Sequence, residues 1–119
     1  MAVSLVAIAS NDQVTSVGYD DGDPVDTLYT SSGGVTQINS ITVTNTSSSA
    51  LWMAFWILPS SIAASTVPPS WAQQIPAGDS GLGLDSTAII SGLLGQIIPT
   101  GGTLACAAGV TNVGYVTAS

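Results

Sequence analysis

Eight consecutive apolar residues, Leu51-Trp-Met-Ala-Phe-Trp-Ile-Leu58, set the tightest limit on what this chain can fold into. The run is far shorter than the about 20 residues a membrane-spanning helix needs, so it belongs inside a protein. As an extended strand it places Leu51, Met53, Phe55 and Ile57 on one face and Trp52, Ala54, Trp56 and Leu58 on the other, and neither face carries a polar group. In a thin sandwich only one strand face meets the core. The second face needs a cover, either a loop of the same chain, such as residues 62–71, or an intermolecular contact. The opening Met1-Ala-Val-Ser-Leu-Val-Ala-Ile-Ala-Ser10 poses the same question, with Val3 and Leu5 opposing Val6 and Ile8. It lacks the basic region of a secretory signal, and its alternation suits a strand of the fold.

The remainder reads as short β-branched segments punctuated by polar turns. Ser and Thr together number 30 and Gly 13, and they cluster at the joints: Asp21-Gly22, Asp23-Pro24, Ser32-Gly33-Gly34, Pro68-Pro69, Pro76-Ala-Gly-Asp79 and Thr100-Gly-Gly102. Strands are expected near residues 2–10, 13–18, 27–30, 35–46, 50–58, 72–75, 102–108 and 112–117. This is the pattern of an all-β fold, a single antiparallel β-sandwich, jelly-roll-like or Ig-like, of about eight short strands. Ile41-Thr-Val-Thr-Asn-Thr46 alternates inward and outward, and the Ser47-Ser-Ser49 turn after it predicts a β-hairpin with 51–58. One segment has helical spacing: Ile89, Leu93 and Ile97 recur beside Ile90, Leu94 and Ile98, with Asp85 or Ser86 as N-cap. Gly92 and Gly95 limit it to one short helical turn near 86–96. One domain is expected, with residues 1–34 as an N-terminal strand or arm and acidic turn, packed with or swapped from the same domain, and residues 35–119 as the sandwich core.

Charge removes most function classes. The chain has no Lys, Arg or His and seven Asp, a net charge of −7. It has no cationic side chain to contact phosphates or an anionic membrane surface, so neither nucleic acid nor membrane is an expected partner. The usual general bases and Schiff-base lysines are missing too, so no enzymatic activity and no cofactor is expected. Gly78-Asp-Ser-Gly81 spells the nucleophile tetrapeptide of chymotrypsin-like proteases but has no histidine to serve it. Asp79-Ser-Gly81 also matches the aspartic-protease triplet, though it follows a turn rather than an apolar strand. Asp20, Asp21, Asp23 and Asp26 surround Gly22 and form a weak calcium candidate that fits no EF-hand spacing. A solvated acidic turn is the expectation there, with mutual repulsion raising the carboxyl pKa values so that stability rises as pH falls. Gly81-Leu-Gly83 and Gly92-Leu-Leu-Gly95 lack a phosphate-loop fingerprint. Asn45-Thr-Ser47 is a glycosylation sequon by pattern, and Cys106, the single cysteine, is expected to be a small core residue.

The succession Ile41-Thr-Val-Thr-Asn-Thr46, Ile57-Leu-Pro59, Ile75-Pro-Ala-Gly-Asp79, Leu94-Gly-Gln-Ile-Ile-Pro-Thr-Gly-Gly-Thr-Leu104 and a closing strand over 113–117 resembles small β-sandwich structural proteins of tailed bacteriophage virions. The likeness spans about residues 35–119 and departs from the pattern in lacking Lys and Arg. It implies a non-enzymatic capsid decoration or cement protein on the outer surface of the particle. Such a protein would form a homo-oligomer, a trimer as first choice, and staple the major capsid protein or other virion proteins. The interface residues expected are Val3, Leu5, Val6, Ile8, Trp52, Trp56 and Leu58. Two alternatives stand beside it: a tail or fibre module, and a small carbohydrate-binding domain using Trp52, Trp56, Trp71 or Tyr19 as stacking platforms.

Overall fold

Alternation along the strands sets the layers. In a computed structural model, which describes residues 5–17, 25–64, 67–78 and 85–119, Ile41, Val43 and Asn45 point into the core while Thr42 and Thr44 face outward. Ten strands form among the described residues: β1 Ala9–Gln13, β2 Asp26–Thr30, β3 Thr36–Gln37, β4 Ile41–Asn45, β5 Leu51–Leu58, β6 Trp71–Ile75, β7 Ser86–Ile89, β8 Ile97–Ile98, β9 Thr103–Ala108 and β10 Gly114–Ala118. One sheet has the order β1-β10-β4-β7, the second β2-β9-β5-β6, and β3 and β8 make a separate ribbon.

The pairings nest. The first strand pairs with the last, the second with the ninth, the third with the eighth, the fourth with the seventh and the fifth with the sixth, all antiparallel. The chain is thus one long ribbon doubled back at residues 59–70 and rolled up, and β4–β10 and β5–β9 stitch the roll into two sheets. This connectivity is the jelly roll and not the immunoglobulin order. The core between the sheets holds Val14, Ile38, Ile41, Val43, Leu51, Met53, Phe55, Ile75, Ile90, Leu93, Ile98, Leu104, Cys106 and Val116. No helix of the described residues is long and apolar enough to cross a membrane.

Several local expectations are corrected. Residues 41–46 and 51–58 are not a hairpin: β4 and β5 lie in different sheets. Each strand has an apolar face, and placing the two faces against each other buries both across the sandwich, where a hairpin would set them side by side. Asn45 makes the corner. Its fully buried amide Nδ2 donates to the carbonyls of Ser49 (2.9 Å) and Pro76 (3.0 Å), and its Oδ1 accepts from the Ser47 amide (3.0 Å) and hydroxyl (2.9 Å). That nitrogen is therefore engaged inside the protein and is not available for glycosylation in the folded chain.

The helical stripe is also not realised. Ile89 and Ile97 are exposed in β7 and β8, while Ile90, Leu93 and Ile98 are buried, and only Ser91–Leu93 form a 3-10 turn. Gly95, at φ +81°, ends it in a conformation that other residues seldom adopt. The expected strand over 35–46 divides into β3 and β4, because the C-terminal Ser119 inserts between them and exchanges backbone hydrogen bonds with Asn39 and Ser40. Among the described residues the first strand begins at Ala9, with 5–8 outside it, while residues 2–4 of the expected strand lie outside the described residues; Asn11, at φ +54°, carries a bulge in the pairing with β10. Of residues 13–18, Gln13 belongs to β1 and Val17 makes an isolated parallel bridge to Ala108.

Candidate interaction surfaces

The outward face of β5 is closed by its own chain. Ala54, Trp56 and Leu58 are buried with Ala105 and Ala107 of β9 beneath Ala64, Val67 and Val25. The covering loop follows β5. Its carbonyl at Val67 accepts the Trp56 indole N–H (3.1 Å), and at its end the Ser70 amide donates to the Phe55 carbonyl (2.8 Å) while the Ser70 hydroxyl accepts from the Ile57 amide (3.1 Å). The assignment of Trp56 and Leu58 to an intersubunit centre is corrected on this point: the apolar surplus that motivated it is absorbed within the chain. Trp52 stays 50% exposed opposite Gln74.

The N-terminal residues divide in the same way. Ile8 is buried in the core, its amide donating to the Ala118 carbonyl, and so is not free to be an interface residue. Leu5 is 92% exposed and Val6 is also exposed, whereas Val3 lies outside the described residues. Leu5 and Val6 line a groove together with Tyr29, Val35, Ile97 and the Ser31–Ser32–Gly33–Gly34 loop, and the polar Thr36, Gln37, Asn39 and Ser119 complete it. Val35 is 66% exposed, Ile97 is exposed, and no charged side chain lines the groove. The β3 edge lies along it. Ile38 donates to the Gln96 carbonyl (2.9 Å) and accepts from the Gly95 amide (2.7 Å). Alternation along the strand turns the backbone groups of Val35 and Gln37 away from β8. Sequence inspection had singled out the arm but not its partners Val35 and Ile97, which are 62 positions apart by number and meet only because β3 pairs with β8.

On the opposite edge, the Trp71 ring lies over Gly92, where any Cβ would overlap it. Its indole donates to Gln73 (3.1 Å), whose amide donates on to the Ile89 carbonyl (3.2 Å) and ties the β6 and β7 edges together.

The acidic turn gives no metal site among the described residues, and Asp20, Asp21 and Asp23 lie outside them. Asp26 is committed elsewhere. One carboxylate oxygen accepts from the Thr15 amide (2.6 Å) and the Ser16 amide (3.4 Å), the other from the Thr15 (2.9 Å) and Ser16 (2.7 Å) hydroxyls. Burial works to raise its pKa, but these hydrogen bonds outweigh burial and hold it below the ordinary carboxyl value. For Asp26 this reverses the expected direction: its contribution to stability is present above the unfolded pKa and is lost as pH falls through the folded one. Cys106 is buried, and desolvation, with the charges of Asp26 and Asp12 added, pushes its thiol up to about 12. Asp79, Ser80, Gly81 and Tyr19 also lie outside the described residues.

No protein-family model matches the chain, and no curated protein or solved structure matches it.

Proposed function

We propose that this chain is a structural protein of a tailed bacteriophage virion, a decoration or cement protein that self-associates, as a trimer in the first instance, and staples the outer surface of the head shell. The carrying observation is the end groove, lined by no charged side chain, where Leu5, Val6, Val35 and Ile97 are exposed together beside a strand edge. Exposed edges are usually protected by charge, and contiguous apolar surface on a soluble domain commonly marks a contact. In a chain of net charge −7 whose copies repel one another, contact between copies is least opposed on a surface without acidic side chains. The jelly roll is an architecture that capsid domains and lectins both use, and the absence of any Lys, Arg or His suits a binding role better than catalysis. The contact is moved from the face of Trp56 to this end, and attachment is apolar, with modest dependence on salt.

The test is multi-angle light scattering on the full chain and on Leu5→Asp/Val35→Asp, with gold-labelled antibody on virions from the source of the sequence. A wild-type oligomer, a monomeric double variant and gold on the heads support the proposal. A wild-type monomer with unlabelled virions overturns it. Gold on the tails transfers the reading to a tail or fibre module.

A second reading rests on Trp52. A half-exposed indole on a sheet face beside Gln74 is a surface on which a sugar ring can stack. Quenching of Trp emission by oligosaccharides, lost in Trp52→Ala, would favour it, and an unchanged spectrum across a glycan panel would exclude it.

A further inference from the structure

We propose that Asp26 is an acid-released clasp that fixes the segment 14–17 to the second sheet. The segment leaves β1 in one sheet, reaches β9 of the other through the bridge from Val17 to Ala108, and is held from two sides. Its carbonyls face the β9–β10 connection: Val14 accepts from the Asn112 amide (2.9 Å), Thr15 from the Thr111 hydroxyl (2.8 Å) and Ser16 from the Ala108 amide (3.0 Å). On the other side, the amides and hydroxyls of Thr15 and Ser16 converge on the single carboxylate of Asp26, the first residue of β2. A carboxylate accepts all four, whereas a protonated carboxyl must give up acceptor capacity at one oxygen and brings a donor among donors.

The surroundings make the response local. Among the described residues, the titratable groups that face Asp26 are Asp12 of β1, which lines the same shallow recess, and the buried Cys106 of β9, its cross-strand partner. By sequence Asp20, Asp21 and Asp23 precede it closely, outside the described residues. None of these is a cation, so no ion pair replaces the lost hydrogen bonds. Elsewhere the chain has no side-chain salt bridge to lose, because it has no Lys, Arg or His. Acid removes the mutual repulsion of seven Asp residues and so favours the compact sandwich while it loosens this one strap. The two effects have opposite signs, and that contrast separates a clasp from ordinary acid unfolding. This inference is independent of the virion reading.

The experiment is a titration of the full chain from pH 7 to pH 2 by amide NMR, with hydrogen exchange corrected for its intrinsic pH dependence. The Thr15 and Ser16 amide resonances should move together with one midpoint below the ordinary Asp value. Their protection should fall by about tenfold or more, the equivalent of one hydrogen bond to a charged group, while Val43, Phe55 and Ala105 keep theirs. The variant Asp26→Asn should show the loosened strap already at pH 7 and no further transition in acid. Retained protection of Thr15 and Ser16 at pH 2, or loss of protection in the core within the same transition, overturns the proposal. The wild-type titration decides the matter even if the variant fails to fold.

Discussion

The face around Trp56 and the end groove around Val35 begin from the same excess of apolar side chains and finish in opposite states. Over Trp56 the chain returns through a loop whose Ala64 and Val67 have carbon to contribute, and whose backbone offers the indole an acceptor. Beside Val35 the neighbouring loop is Ser31-Ser-Gly-Gly34, which has almost no side chain to lay over Leu5 or Ile97. An apolar strand face is therefore not by itself an interface. Its exposure depends on the composition of the loop that happens to cross it, and here a Val- and Pro-containing loop closes one face while a Ser–Gly loop leaves the other open.

The sharpest way to break this contrast is to truncate both tryptophans. Trp56→Ala should cost about 3–5 kcal/mol, the usual range for a buried aromatic, whereas Trp52→Ala should cost less than ~1 kcal/mol because half of its surface is already in water. Urea unfolding of the two variants measures the difference, and equal midpoints would mean that the loop does not seal the face. Next in size is Gly92→Ala. The added methyl meets the Trp71 ring, and a loss of ~1–3 kcal/mol is expected from overpacking, with relief in the double variant Gly92→Ala/Trp71→Ala. Comparable in magnitude, Asn45→Ala should lose ~1–3 kcal/mol by removing the buried amide that ties the carbonyls of Ser49 and Pro76 at the sheet corner. The smallest effect on stability belongs to the open end: Val35→Asp should stay within about 0.5 kcal/mol of wild type, as exposed positions do, and under the proposed end-groove contact it should lower the mass seen in light scattering. Thiol chemistry offers a further check on the core. Cys106 should resist alkylation in the native protein at pH 8 and react only in denaturant, since it is buried and its thiol is pushed up to about 12.

Much of the fold was legible from the sequence. Alternation in Ile41-Thr-Val-Thr-Asn45 identified an inward and an outward face, the length of 51–58 placed a central strand, and the Ser, Thr and Gly clusters located most of the joints. The surfaces were less legible. The arm at Leu5 and Val6 was visible as unmatched apolar residues, but its companion Val35 sits just before the two-residue β3 and Ile97 within the two-residue β8, strands too short to carry an alternation of their own. Asp26 was visible as a charge in a cluster of charges, and nothing local distinguished it from its neighbours, since its partners Thr15 and Ser16 are brought to it by the crossing between sheets.

By itself the sequence determined the class of fold and the kind of chemistry within reach. Period-two hydrophobicity is a property of neighbouring residues, and the absence of every cationic side chain holds in any conformation. Only the tertiary structure decided that 41–45 and 51–58 face each other across the core instead of pairing, that the surplus face at Trp56 is covered from within, and that the Asp26 carboxylate becomes a structural acceptor. Each of these depends on which distant segments are brought together. Nested strand pairing makes that choice by burying apolar area and satisfying backbone groups over the whole ribbon at once, so no short stretch of sequence contains it.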